Sequence, residues 1–230
     1  MSTLNVNNIA PESGTTITIG GSGDKVTLGG GGLGIVGVST FTSSGTWTKA
    51  TREAALGVTI KRVIVEVQGA GGSGSAQSTN YCFGAGGGYV RKILDVSSVT
   101  SSTITVGTGG AGKSANTGAG NAGGSSSWND GVNTTLTAGG GGGGTTNGTV
   151  STGGSATGGD FNVEGQGGGV SGYAVLAGKS FLGTTNGYEA TGFNLNSAPT
   201  GYGAGSGLGY STFPSVDGGD GIVIVTEIAG

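Results

Sequence analysis

The sequence contains no histidine, and this absence removes several kinds of functional site at once. Serine and cysteine nucleophiles activated by histidine cannot form, and histidine-ligated zinc is excluded. A single cysteine, Cys82, excludes an internal disulfide. The sequence therefore predicts a protein that is not an enzyme and that holds no cofactor and no metal.

Charge and long apolar runs are also scarce. Charged residues make up 9% of the chain and the formal net charge is −3, so with no basic cluster a nucleic-acid partner is not expected. The apolar runs are far shorter than the ~18 residues of a membrane-spanning helix, so no membrane insertion is expected. The opening MSTLNVNNIAPESG lacks the basic and apolar regions of a secretory signal, which predicts synthesis in a cytoplasm without export by that route.

Glycine is what the chain has in excess. The 58 glycines and 3 prolines among 230 residues reach the range of low-complexity chains. A disordered chain, however, is poor in β-branched residues and rich in net charge, whereas valine, isoleucine and threonine are plentiful here. Collagen needs glycine at every third residue and abundant proline. The composition therefore favours an ordered, non-collagenous protein.

The glycine follows strands in a recurrent way. In Lys61–Gly74 the alternating Val63, Val65 and Val67 indicate a buried strand face, and the strand passes directly into glycine. The same transition occurs in Thr103–Gly112 and Thr134–Gly144, and in reverse in Asp217–Ile228. We expect an all-β fold with β-sandwich-like core strands and extended glycine-rich loops.

The glycine-rich loops are predicted to be ordered. Glycine lacks a Cβ atom, so extended chains can approach closely and hydrogen-bond laterally through their backbones. Between Gly139 and Gly209 such bonding, in a polyglycine-II-like arrangement, is the compensation available for the backbone entropy of glycine. Fast amide exchange throughout this region would contradict the prediction.

Four further elements are predicted from local patterns. Ser39–Lys49 alternates as one strand, and Tyr89–Val99 places Tyr89 and Arg91 on one side and Val90 and Leu94 on the other. Ala50–Leu56 has the residues for one or two helical turns within a loop that runs from Ala50 to Thr59. Ser125–Ala138 reads as a hairpin turning at Asn129-Asp130-Gly131.

Residues 1–38 differ from the remainder, residues 39–230. They form short alternating segments closed by turn residues, and strands this short cannot bury a core alone. We expect them to intertwine with identical strands from other copies. The sequence thus predicts a β-structured N-terminal segment for oligomerisation, followed by a glycine-rich β domain.

One segment matches a nucleotide-binding motif. Gly107–Ser114, GTGGAGKS, fits G-x-x-x-x-G-K-S/T and follows a strand. The motif requires a helix next, whose N-terminus faces the phosphates, but the following ANTGAGNAGGSSS cannot form one. In a chain this rich in glycine the match is unspecific, and nucleotide binding is not expected.

Four carboxylates are candidates for acid–base catalysis on a glycan. They are Asp160, Glu164, Asp217 and Asp220. Their turn-like glycine contexts favour solvated turn residues instead.

Aromatic residues are the remaining candidates for a binding site. They are surrounded by glycine, serine, threonine and asparagine, as in antibody loops, where rigid rings supply contact area and small polar residues supply hydrogen bonds. The alternative is that these rings pack over glycine layers. The predicted binding residues are Tyr81, Phe83, Tyr173, Phe181, Tyr188 and Phe193, flanked by Asn80, Asn186 and Asn194.

The order of motifs resembles a known family. FTSSGTWTK, KRVIVEVQGAGGSG, GAGGGYVRKILDVSSV, TITVGTGGAG, GGDFNVEGQGGG, PTGYGAGSGLG and GIVIVTEI occur in turn between about residues 40 and 228. Over this span the chain resembles the glycine-rich domain of bacteriophage tail fibres, and the opening residues are similar to the start of such proteins in tailed phages. Two features depart from the family pattern: the linker ATREAALGVTI is long, and Tyr173–Ala198 is less dense in glycine.

The resemblance implies a non-enzymatic virion protein, a tail fibre or tail-tip adhesin. It would be made in the host cytoplasm and form a homotrimer. Residues 1–38 would attach it to other virion tail proteins, and the protein would bind a host-surface glycan or an outer-membrane protein. A purely structural protein, such as a capsid decoration or a self-assembling extracellular filament, is the alternative. A glycan-degrading enzyme is a third possibility for which the sequence offers little.

Overall fold

The computed structural model describes residues 34–77, 82–170, 176–185, 198–209 and 213–230. The chain divides into two units, residues 1–32 and 33–230, and every described residue belongs to the second. The predicted oligomerisation segment lies almost entirely outside the described residues. Its last part does not, because Ile35–Val38 belong to a strand of the second unit.

The second unit consists mainly of β-strands, so the all-β prediction is confirmed, and the predicted short helix is present. In chain order the elements are β1 Ile35–Phe41, β2 Gly45–Thr48, α1 Lys49–Leu56, β3 Ile60–Gln68, β4 Tyr89–Asp95, β5 Ser101–Thr105, β6 Ser126–Asn129, β7 Leu136–Ala138, β8 Ala156–Thr157, β9 Phe161–Val163, β10 Gly183–Thr185, β11 Pro199–Gly201 and β12 Ile222–Ala229.

The strands form two five-stranded antiparallel sheets and a two-stranded ribbon. The first sheet has the order β1-β12-β3-β4-β9, the second has the order β2-β5-β6-β7-β8, and β10 pairs with β11. The two larger sheets contribute side chains to one hydrophobic core. β12 is the last described strand in the chain, and it lies between β1 and β3 because it pairs with both.

The inner face of the first sheet is built by alternation. Val63, Val65 and Val67 of β3 are fully buried, as the sequence predicts, and Val223 and Val225 of β12 lie beside them. Burying each such side chain contributes about 1.5–3 kcal/mol.

The second sheet faces this layer with aromatic and aliphatic residues. Trp47 and Trp128 are buried, with ring centroids 5.4 Å apart. Trp128 belongs to the predicted hairpin, which is confirmed, because β6 and β7 pair antiparallel. At its turn the Asp130 carboxylate accepts hydrogen bonds from Trp128 Nε1 and from the amide nitrogen of Val132, while Gly131 adopts φ +73°.

The segment Ser39–Lys49 was predicted to be one strand, but it contains parts of two strands that belong to different sheets. β1 ends at Phe41 and β2 begins at Gly45. Ser44 lies in the break, and its Oγ accepts a hydrogen bond from the amide of Val106 at 3.0 Å. This hydrogen bond joins the break to the residue that follows β5 of the second sheet, and here the chain crosses from one sheet to the other.

Beside this crossing lies a buried carboxylate, Glu227 of β12. It accepts hydrogen bonds from Ser39 Oγ at 2.6 Å, Arg52 Nε at 2.8 Å and Trp47 Nε1 at 3.3 Å. Burial alone raises the pKa of Glu227, but these hydrogen bonds and the Arg52 charge outweigh it and hold the pKa below its ordinary value. Gly37 leaves room for this carboxylate, because a Cβ atom on residue 37 would lie 2.8 Å from Glu227 Oε2. The carboxylate thus joins β1, β2, α1 and β12.

Beyond the strand ends, glycine-rich segments pack against one another through their backbones. We call these described segments the glycine region: 69–74, 84–88, 107–112, 120–124, 139–144, 203–209 and 218–221. Residues 69–75 and 82–88 are buried throughout.

Hydrogen bonds within the glycine region repeat along the chain with a period of three. Gly69 and Gly72 donate to segment 84–88, while Ala70 and Ser73 donate to segment 120–124. A repeat of three residues is that of an extended polyproline-II-type helix. This period matches the polyglycine-II-like interpretation of these segments. Within the described part of Gly139–Gly209, Gly141 donates to the carbonyl of Ala70 and Gly205 donates to that of Gly178.

The backbones approach so closely that side chains do not fit between them. A Cβ placed on Gly71 would lie 1.9 Å from the carbonyl oxygen of Ala204, and one on Gly84 would lie 1.9 Å from that of Gly72. Neither glycine has a positive φ, so the requirement for glycine here comes from space.

Candidate functional site

Three aromatic rings meet at the β9 edge of the first sheet, on the face turned away from the core. Tyr89 and Phe181 are stacked, with centroids 4.2 Å apart and planes at 24°. Phe161 meets both rings edge-on, with centroids 6.2 Å from Tyr89 and 5.9 Å from Phe181. These are favourable arrangements for aromatic pairs. We call Tyr89, Phe161 and Phe181 the aromatic cluster.

Tyr89 is the buried member of the cluster. Its hydroxyl donates to Glu66 Oε1 on the neighbouring strand at 2.5 Å. Burial, then the hydrogen bond and the charge of Glu66, raise the pKa of Tyr89 far above its ordinary value. The phenol therefore stays protonated at physiological pH, and its role is to fix the ring rather than to transfer a proton.

Phe161 and Phe181 are the exposed members, at 49% and 53%. Phe161 lies on β9 directly opposite Arg91 of β4. The pair Lys92–Asp160 beside it, at 3.5 Å, is a surface ion pair, and such pairs contribute little to stability. Phe161 is thus held mainly by strand pairing and by its ring contacts.

Phe181 lies on a segment that is anchored at both sides. The buried Gln68 accepts a hydrogen bond from the amide of Leu182 at 3.2 Å, and its Nε2 donates to the carbonyls of Gly87 and Gly88. Ser180 Oγ donates to the carbonyl of Tyr202 at 2.5 Å. The ring is therefore exposed to solvent while its backbone is fixed.

An open groove of about 570 Å³ adjoins Phe181. It is lined by Lys179, Ser180, Phe181, Leu182, Gly183, Thr184, Thr200 and Gly201. One ring, one ammonium group and several hydroxyl groups therefore face the same space, a combination suited to binding a partner and lacking any acid–base pair.

The predicted receptor-binding residues fall into three groups. Phe181 is exposed, whereas Phe83 is 4% exposed. The sequence left open whether each ring makes a contact or packs over glycine, and the burial of Phe83 corresponds to packing. The carbonyl of Phe83 accepts a hydrogen bond from Ser151 Oγ at 2.8 Å. Seven predicted residues lie outside the described part of the chain: Asn80, Tyr81, Tyr173, Asn186, Tyr188, Phe193 and Asn194.

Sequence reasoning did not select Tyr89 or Phe161 for the site. The strand pattern does place Tyr89 on the outward side of β4, next to glycine. Phe161 carries no such signal, because GGDFNVEG is too short to show alternation. Only the pairing of β9 with β4 brings Phe161 to Tyr89.

The segment that matches the phosphate-binding motif uses its amides within the protein. Gly109 donates to Asp220 Oδ1 at 2.7 Å, and Gly112 donates to Asp217 Oδ1 at 2.6 Å. Lys113 donates its backbone N–H to Ser215 Oγ. Two carboxylates thus accept hydrogen bonds from amides that the motif would offer to a phosphate.

The four carboxylates considered for acid–base chemistry are all exposed. Asp217 and Asp220 nevertheless have a structural role in this loop, which the interpretation as solvated turn residues did not include. Asp160 forms the surface ion pair with Lys92.

Within the described ranges, no three histidine, cysteine, aspartate or glutamate side chains come together in a way that could hold a metal ion. No helix in that part of the chain is long and apolar enough to cross a membrane. When the chain is compared with known proteins, no protein-family model matches it and no curated protein matches it.

Proposed function

We propose that this protein is a non-enzymatic attachment protein of a bacteriophage virion, a tail fibre or tail-tip adhesin. The aromatic cluster is the contact with the host surface. The observation that carries the proposal is that two phenylalanine rings remain about half exposed while their backbones are fixed by strand pairing and by a hydrogen bond to the buried Gln68.

Exposed rings on a fixed backbone suit binding. Association costs free energy for every side chain and loop that it orders, so groups that are already ordered bind more strongly for the same contact area. Aromatic rings add large contact area with few rotatable bonds. The rings of Phe161 and Phe181 can lie against the apolar face of a sugar or against an apolar side chain of an outer-membrane protein.

The placement on a virion rests on the resemblance in motif order to phage tail fibres. The groove beside Phe181 supports a glycan or protein partner, because Lys179 and the hydroxyls of Thr184 and Thr200 line the same space as the ring. Polar groups of this kind set orientation and specificity around an apolar contact.

The test pairs host-cell binding with stability. Phe161→Ala, Phe181→Ala and the double variant should reduce adsorption to host cells, while each single variant should lose only about 0.5–1.5 kcal/mol of stability, the contribution of an aromatic pair. Phe213→Ala is the matched control, because Phe213 is 59% exposed and is not part of the aromatic cluster; this variant should adsorb normally. Full adsorption by the double variant would show that the cluster is not the contact.

A structural role without receptor binding, in a virion decoration or an extracellular filament, is favoured by one other observation. The outward face of the first sheet exposes Ile35, Val38 and Ile93 by more than half, and apolar surface of this kind is typical of protein–protein contacts. Electron microscopy of particles labelled against this protein separates the two functions, since an adhesin lies at a tail tip and a decoration covers the capsid.

A further inference from the structure

The edge strand β1 is the feature that the proposed function leaves without a role. Among the strands that the structure describes, it pairs with β12 alone and so ends the order of the first sheet. An edge strand presents unpaired N–H and C=O groups to any other extended chain. Natural proteins protect such edges with short strands, charges, proline or bulges.

Compared with the other sheet edges, β1 is poorly protected. It has seven residues, whereas the edge strands β2, β9 and β8 have four, three and two. Its sequence IVGVSTF contains no charge and no proline. A register shift between Ile35 and Gly37 is its one protective feature, and Gly37–Phe41 remains regular beyond it.

The exposed side chains of β1 are also compatible with pairing to another strand at this edge. Val38 is 55% exposed on the outward face, where it lies opposite Thr226 of β12. The charged residues on the same face, Arg62 with Asp95 and Arg91 with Glu66, lie opposite one another on β3 and β4. This face therefore has no excess of one charge sign that would favour a strongly charged partner.

We propose that β1 pairs antiparallel with β1 of a second copy of this chain, which joins the two first sheets into one continuous sheet. The pairing is self-complementary: each strand supplies the same uncharged edge, so two copies satisfy each other. If the two seven-residue strands overlap fully, their central residue, Val38, lies opposite Val38 of the other copy.

The interface lies away from the aromatic cluster. β1 and β9 are opposite edges of the first sheet, about 19 Å apart at ~4.8 Å per strand. A pair of copies joined at β1 therefore keeps both aromatic clusters free, and the proposal does not depend on the attachment function. A contact through one strand edge is small, so we expect a concentration-dependent equilibrium rather than a permanent dimer.

The first experiment measures the mass of the full chain by light scattering over a range of concentrations. We expect a shift from monomer to dimer, and its complete loss in Val38→Lys, because two ammonium groups would face each other across the pair. Val132→Lys is the matched control, since Val132 is 59% exposed and lies in the β6–β7 turn; it should dimerise normally. A chain that stays monomeric at every concentration, or a trimer that persists in Val38→Lys, would overturn the proposal.

Cross-linking tests the orientation of the strands. Directly opposed residues in neighbouring strands have Cβ atoms ~4.5–5.5 Å apart, near the reach of a disulfide. The native Cys82 is buried, so an introduced thiol can be followed alone. Mild oxidation should link Val38→Cys into a dimer and leave Ile35→Cys and Val132→Cys unlinked. Efficient linkage of Ile35→Cys would indicate parallel pairing and contradict the antiparallel arrangement.

Discussion

The two-sheet core and the glycine region exclude water in different ways. In the core, side chains such as Trp47, Trp128 and Leu136 fill the space between two sheets. In the glycine region, carbonyl oxygens of one segment lie where the Cβ atoms of another would be. The first is packed by side chains, and the second is packed by backbone.

This difference in packing predicts which of the two regions tolerates substitution. A side-chain core accepts exchanges that conserve volume, because neighbouring rotamers can adjust. A backbone-packed region has no side chain that can move away, so even one methyl group displaces a hydrogen-bonded segment.

Gly71→Ala should have the largest effect. Its Cβ would lie 1.9 Å from the carbonyl oxygen of Ala204, so at least one hydrogen-bonded segment must shift, and we expect a loss of more than about 4 kcal/mol or failure to fold. Thermal or denaturant unfolding measures it. Gly45→Ala is the control, because the nearest atom to its Cβ would be Phe41 Cδ1 at 3.8 Å. A Gly71→Ala protein as stable as the Gly45→Ala protein would show that the glycine region yields easily.

Leu136→Ala should cost about 2–5 kcal/mol, the range for a buried leucine truncated in a packed core. Leu136→Met should cost less than about 1.5 kcal/mol, because it conserves volume. Denaturant unfolding of both variants tests the tolerance expected of the side-chain core. Equal losses for methionine and alanine would remove the contrast with the glycine region.

Glu227→Gln should cost about 1–3 kcal/mol near neutral pH, because it weakens hydrogen bonds to a charged group. Since the folded pKa of Glu227 lies below its ordinary value, its carboxylate stabilises the protein fully above about pH 4.5. That contribution is lost as the pH falls through the folded pKa.

Unfolding measured from neutral to acid pH checks the sign. The wild type should lose stability more steeply below pH 4.5 than Glu227→Gln does. Asp160→Asn is the control at neutral pH, where loss of an exposed ion pair should cost at most about 1 kcal/mol. Parallel curves for the wild type and Glu227→Gln would contradict the assigned role.

Phe181→Ala should have the smallest effect on stability, about 0.5–1.5 kcal/mol, because the ring is half exposed and its main contact is one stacked pair. Phe83→Ala should cost about 3–5 kcal/mol, because that ring is buried. Melting curves of the two variants show whether exposure separates contact rings from packing rings. Similar losses would mean that Phe181 is also a packing residue.

Much of the fold could be predicted from local patterns. Alternation identified the buried valines of β3 and the two faces of β4, the helix-forming residues before Gly57 identified α1, and the Asp130-Gly131 turn identified the β6–β7 hairpin. These features depend on neighbours in sequence, which is why the pattern was sufficient.

Features set by distant residues were missed. Glu227 lies on the inner face of β12 because Arg52, Ser39 and Trp47 surround it, and nothing near it in sequence shows this. The strand β1 was divided between two predicted segments, because its pairing with β12 spans most of the chain. The aromatic cluster was predicted only in part, since Phe161 reaches Phe181 through the pairing of β9 with β4.

The close approach of backbones in the glycine region also constrains how the gene can change. Every glycine codon begins with GG, so third-position changes are silent, whereas every first- or second-position change adds a side chain or stops the chain. At Gly71 and Gly84 the added Cβ would meet a carbonyl oxygen at 1.9 Å. Phe161 and Phe181 face no such restriction on their solvent side. A gene of this kind can diversify its exposed positions through successive generations while its interior codons stay fixed in their first two bases.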